Sequence, residues 1–239
     1  MNRKELKAKI QTARIMREKG KVGRAQSLLT RTAGEAAQQG FVSIACEAYA
    51  ELIVCHQHNY ERGHTTALED MRRTAENALR LITEHTSSTK FRKPFYYRLG
   101  VHAIYKKDYE TAEGYFRRAI RVVYRYGKEV DIPEYLGYLA YATELEGKRS
   151  GLNLMRTALK TLRNNYRSYE DYHFLIIESG LLQKQAHIYH LRDTITERDK
   201  VLKHAKVLAV KLKQEYHMAQ RLLQFNRLCK TLGIKQTGN

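Results

Sequence analysis

The sequence predicts an all-α chain of antiparallel helical hairpins, and three observations predict it. Apolar residues recur at i, i+3 and i+4 spacing along nearly all 239 residues, with no sustained apolar/polar alternation of the kind a half-buried strand shows. Turn chemistry falls between the periodic segments rather than inside them. The connections are short, so consecutive helices should pack as antiparallel neighbours.

The elements follow in order. A first hairpin over 4–38 joins helices at 4–19 and 22–38 through Gly20-Lys21, and Gly40 closes it. A second over 41–86 joins 41–58 and 64–86 through Arg62-Gly63, and the polar run Thr86-Ser87-Ser88-Thr89 ends it. The third, 93–126, has helices at 93–106 and 109–126 around Lys107-Asp108, with a break at Tyr126-Gly127. Gly147-Lys148 divides the fourth, 131–165, into 131–146 and 148–165. The fifth, 168–213, is divided by periodicity into 168–190 and 192–213. A last helix over 215–231 has no partner after it and should cap the stack, because the end of an array must shield its apolar face.

Composition sets the class. With 43% hydrophobic and 28% charged residues the chain can form a core. No run of about 18 apolar residues suggests a membrane span, and the charged start MNRKELKAKIQ has no signal-peptide core, so a cytoplasmic protein is expected. Of the three cysteines, Cys46 and Cys55 fall on one helix roughly 13 Å apart, too far for a disulfide. The net charge is +18, carried mainly by the ends, about +7 over 1–40 and +8 over 181–239. Such a field favours anionic partners, whether nucleic acid, acidic peptide or an acidic protein face.

Gly100 interrupts an otherwise strong helix, where it costs about 1 kcal/mol relative to alanine. Around it stand Tyr96, Leu99-Gly100, a turn at Asp108, then Ala112, Phe116 and Ala119. This order of an aromatic, two residues, Leu-Gly, and later Ala, three residues, Phe resembles the tetratricopeptide repeat, with Ala103 where the pattern has Tyr. The resemblance is specific over 93–120 and looser elsewhere, with equivalents of Ala112 at Ala25, Ala67 and Gly151 and a last pair near Leu202 and Ala205. Their spacings of 42, 45 and 39 residues exceed the usual 34, as in divergent tetratricopeptide-like arrays. It implies an α-solenoid, a superhelix of about five hairpins plus a C-terminal cap in one continuous domain over 1–239. It also explains the glycine: Gly100 and Ala103 would face Ala112 and Ala119, letting two backbones approach while Tyr96, Leu99, Tyr109 and Phe116 fill the space around them.

No Gly-rich phosphate loop, Gly-x-Ser-x-Gly elbow or His-Glu-x-x-His occurs, so no enzyme and no cofactor are expected. Cys55, His58 and His64, and separately His187 and His190, have metal-ligand residue types at helical spacing, but the second half of a zinc module is missing and no metal is expected. Seventeen tyrosines are more unusual, ten of them between Tyr96 and Tyr141. If the first helix of each pair lines a concave groove, as the resemblance implies, Tyr97, Arg98, Val101 and Tyr105 would be exposed there beside Leu136, Ala140 and Thr143, and Tyr and Arg are enriched at binding hot spots.

Basic residues form a column: Arg117 stands one place after Phe116, and Arg72, Arg156 and Lys203 stand at the equivalent places of three other second helices. Stripes continue through Arg121 and Arg125, and through Lys160, Arg163 and Arg167. The expected role is a non-catalytic protein-interaction scaffold holding a peptide or partner protein, acidic in character, in the groove. The alternative is a nucleic-acid-binding module that uses the stripes and basic termini to neutralise phosphates. A receptor closing on a small peptide is a third reading. The carboxylate clamp of tetratricopeptide adaptors lacks its Lys and Asn here, and no recurring pair of base-reading residues supports a pentatricopeptide code.

Overall fold

The computed structural model describes residues 2–85, 90–126 and 129–234, and these residues are helical with no strand among them. The predicted turns at Thr86–Thr89 and at Gly127 lie outside the described residues. The chain divides into two compact units, Met1–Gly127 and Lys128–Asn239.

In the N-terminal unit, α1 (Arg3–Glu18), α2 (Val22–Gln38), α3 (Val42–Glu61), α4 (Ala67–Glu84), α5 (Lys93–Tyr105) and α6 (Tyr109–Tyr126) each pack on the next, and α3 also packs on α1 and α5. α1 opens on a capping box: the Glu5 amide donates to Asn2 Oδ1 at 3.0 Å and the Asn2 amide donates to Glu5 Oε2 at 3.1 Å. In the C-terminal unit, a short 3-10 turn (Glu129–Asp131) leads into α7 (Ile132–Leu145), followed by α8 (Gly151–Asn164), α9 (Asp171–Leu191), α10 (Ile195–Tyr216) and α11 (Gln220–Thr231). Both prolines of the sequence, Pro94 and Pro133, stand in the first turn of a helix, where the missing N–H costs nothing.

One closing turn recurs. After α1, α2, α3, α5, α7, α9 and α11 a residue adopts the left-handed conformation, and the next amide reaches back five residues to a carbonyl at 2.8–3.1 Å, as Lys21 does to Met16 and Phe41 to Ala36. This arrangement satisfies the orphan carbonyls at a helix end. Glycine holds the left-handed position at Gly20, Gly40, Gly63, Gly147 and Gly233, but Lys107 and Asp193 hold it after α5 and α9.

The repeat register is visible in burial. Four, seven and eleven residues beyond Ala25, Ala67, Ala112 and Gly151 every side chain is buried: Leu29, Thr32 and Ala36; Met71, Thr74 and Ala78; Phe116, Ala119 and Val123; Met155, Ala158 and Leu162. Leu202, Ala205 and Ala209 continue the pattern on α10. Second helices therefore bury one stripe, whereas first helices such as α3, α7 and α9 bury residues on more than one side. Phe225 and Cys229 of α11 join the core of the C-terminal unit, so α11 covers the end of the α9–α10 hairpin.

Two expectations need correcting. The nearest neighbour of Gly100 is not a small residue: a Cβ there would lie 2.6 Å from Phe116 Cε1, so the glycine makes room for an aromatic ring. Gly151 supplies the close backbone approach instead, since a Cβ there would lie 2.6 Å from the Ala140 carbonyl oxygen. The starts of α4, α8, α9, α10 and α11 fall three to five residues later than expected, at Ala67, Gly151, Asp171, Ile195 and Gln220. A 3-10 turn at Tyr166–Ser168 and left-handed Asp193 and His217 break the helices where no glycine signals it.

Candidate interaction surfaces

The residues expected to line the groove are mostly interior. Tyr97, Val101, Ala140 and Thr143 are buried, while Arg98, Tyr105 and Leu136 are half-buried. The correction has a simple cause. A first helix packs on its own partner and on adjacent helices, α5 on α6, α4 and α3, and α7 on α8 and α9, so two of its faces are used for stacking. Tyr97 packs its ring 6.0 Å from that of Phe116.

Polar side chains of the first helices are spent on the same task. Arg98 Nη1 donates to Gln57 Oε1 at 2.6 Å and Tyr105 donates to Glu61 Oε1 at 3.1 Å, linking α5 to α3. Arg14 and Arg17 of α1 both donate to Glu51 of α3. Burial alone would raise the Glu51 pKa, but the two guanidiniums outweigh it and hold the carboxylate below its ordinary range. In the C-terminal unit Arg192 grips Glu144 at 2.6 and 2.8 Å and donates a further bond to the Arg149 carbonyl at 2.6 Å. Tyr141 and His187 Nδ1 share a 2.6 Å bond between α7 and α9.

The cysteines and histidines have ordinary structural places. Burial pushes the Cys46 and Cys55 thiols up to about 12, which keeps them protonated and unreactive. Among the described residues no three of His, Cys, Asp and Glu come together to hold a metal ion, and His187 is occupied with Tyr141. No helix among them is long and apolar enough to cross a membrane.

The basic column splits into engaged and open members. Arg72 is held by Glu69 and Glu76, Arg163 by Glu178, and Arg156 donates to the Tyr189 hydroxyl at 3.4 Å. Arg117 bonds Glu113 at 3.3 Å. Arg121, Arg125, Lys160 and Lys203 are exposed and have no ion pair among the described residues.

Sequence reading missed one feature. A cleft of about 370 Å³ opens on the first-helix side of the N-terminal unit, lined by Lys7 of α1, by Ser43, Ile44, Cys46, Glu47 and Ala50 of α3, and by Phe91 and Pro94 at the start of α5. Its walls are predominantly apolar. Its charged rim is mostly positive: Lys90 sits over the Phe91 ring at 5.2 Å, Lys7 is exposed, and Glu47 is engaged with Arg14 at 3.8 Å. No periodicity announces such a cleft, because its walls come from three helices far apart in sequence.

No protein-family model matches the chain. No curated protein matches it either. Among solved structures it is similar to the nearly identical TPR-like repeats of a Podosopora anserina protein assigned as a kinesin light chain, at 12% identity and a TM-score of 0.56, over 88% of this chain and 97% of that one. A singly substituted form of those repeats matches at 13% identity and a TM-score of 0.56, over 89% of this chain and 97% of that one. With consecutive helical hairpins, a recurring buried register and this likeness over most of its length, the chain is an all-α solenoid of tetratricopeptide-like repeats.

Proposed function

We propose that this chain is a non-catalytic protein-interaction scaffold, and that the first-helix face of its N-terminal unit holds an acidic peptide that seats one apolar side chain in the α1–α3–α5 cleft. The observation that carries the reading is the cleft itself. Ile44, Ala50, Phe91 and Pro94 offer an apolar socket, while Lys7 and Lys90 place positive charge beside it. A socket of this kind anchors one large side chain, and the charges choose the residues that flank it. The links from Arg14 and Arg17 to Glu51 fix α1 against α3 and so hold the socket's walls before any partner arrives, which lowers the ordering cost of binding.

Selection from displayed random peptides tests this. Enriched sequences should combine Asp or Glu with a large apolar residue, and their affinity should fall about tenfold or more with Ala50→Leu, which fills the cleft, or with Lys7→Glu, which reverses the rim. Peptides bound equally well by both folded variants would refute the reading.

A further inference from the structure

The second helix of the third hairpin carries a surface that the cleft does not use. From Gly114 to Tyr126 the sequence has four arginines and no acid, and over residues 90–126 ten basic residues face three acidic ones, all within 108–113. The chain's modest central charge thus conceals a strongly basic hairpin. Arg117, Arg118, Arg121 and Arg125 are all exposed on α6. Among the described residues Arg118, Arg121 and Arg125 have no carboxylate in ion-pair reach, whereas Arg72 on α4 is held between two glutamates.

One aromatic ring, Tyr124, stands in the same strip, and a second, Tyr126, ends the helix. Tyr124 is 72% exposed and Tyr126 50%, among the most exposed large apolar residues of the chain, although Tyr97 and Phe116 nearby are buried. Arg125 lies over the Tyr126 ring at 5.2 Å and Arg118 over Tyr115 at 5.6 Å. Arg117, Arg121 and Arg125 follow at four-residue steps, each a rise of about 6 Å along the helix, so they form a ladder beside Tyr124. A basic ladder answers any polyanion. Exposed rings interleaved with it answer one whose flat faces are free to stack.

We infer that the outer face of α6, formed by Arg117, Arg118, Arg121, Tyr124 and Arg125, binds single-stranded nucleic acid, with the arginines on successive phosphates and Tyr124 stacked on a base. A duplex hides its base faces and leaves the tyrosines unused. An acidic peptide matches the arginines but offers the rings no comparable stack. The inference stands apart from the cleft, which lies on other helices.

The test is fluorescence anisotropy of a labelled twelve-nucleotide oligouridylate against the full chain, with a duplex of equal length and a polyglutamate peptide as comparison probes. Binding is expected at about 50 mM salt, with log K falling linearly in log salt at a slope near −2 to −3 for three or four phosphates. Arg121→Ala and Arg125→Ala should each reduce that slope by about 0.7. Tyr124→Ala should weaken binding about tenfold without changing the slope, and Tyr124→Phe should keep it. All these positions are exposed, so circular dichroism should show folded variants, and Ala50→Leu in the cleft should leave the oligonucleotide affinity unchanged. The inference is overturned by no binding at low salt, by insensitivity to these substitutions, or by equal affinity and equal losses with polyglutamate or duplex.

Discussion

Gly100 lies against the ring of Phe116 so closely that a methyl group on it would sit 2.6, 2.7 and 2.9 Å from three ring carbons. Both residues are buried, and Phe116 is completely so. Alanine at position 100 would gain about 1 kcal/mol of helix propensity, but an overpacked core loses typically about 1–3 kcal/mol. We expect Gly100→Ala to be destabilising by up to about 2 kcal/mol net. Phe116→Leu in the same chain should return part of that loss, because the smaller side chain vacates the space. Urea denaturation of the two single variants and the double variant measures the coupling. Additive losses would mean that the ring is not what requires the glycine.

The left-handed turns offer a change in the other direction. Lys107 has φ 62° and Asp193 φ 55°, at positions where five equivalent turns have glycine. A side chain there costs roughly 1–2 kcal/mol, less for aspartate, whose carboxylate can bond locally. Lys107→Gly should therefore raise stability by about 1 kcal/mol and Asp193→Gly by less. The order of the two thermal midpoints checks the argument, since both substitutions lengthen no helix and bury nothing.

The same turns explain how much of the fold could be read in advance. Where glycine marks the closing turn, as at Gly20, Gly40 and Gly147, the predicted helices end within a residue or two of the observed ones. Helix starts were less legible: α4, α8, α9, α10 and α11 each begin three to five residues later than expected, whether a glycine such as Gly147 or another residue such as Asp193 forms the preceding turn. Burial within second helices was legible, because Phe116, Ala119 and Val123 follow one stripe. The binding face was not. Tyr97 and Tyr124 are the same residue type on adjacent helices, one buried and one 72% exposed. The first helices are also covered through contacts between helices 40 or more residues apart in sequence, such as Arg98 with Gln57 and Arg192 with Glu144. No local pattern encodes those pairings.

Acid should destabilise the chain in a window set by its buried and half-buried histidines. Burial pushes the His58 imidazole down to about 4, with Arg17, Arg98 and Arg62 adding to the effect and Glu61 opposing it. Burial also lowers His56, His102 and His187. Between about pH 6.5 and 4 the unfolded chain binds a proton that folded His58 refuses, so stability falls as pH falls through that window and levels off below it. For His58 the loss is of order 2–3 kcal/mol, allowing for its partial exposure. Glu51 acts later: its depressed carboxylate stabilises the fold above the ordinary carboxylate range and loses that contribution only as the pH drops through its lowered pKa. Urea midpoints measured at about pH 7, 6, 5 and 4 should fall steadily, and His58→Gln should flatten that decline without changing the more acidic step. A midpoint constant from about pH 7 to 5 would mean that solvent reaches these imidazoles in the folded protein.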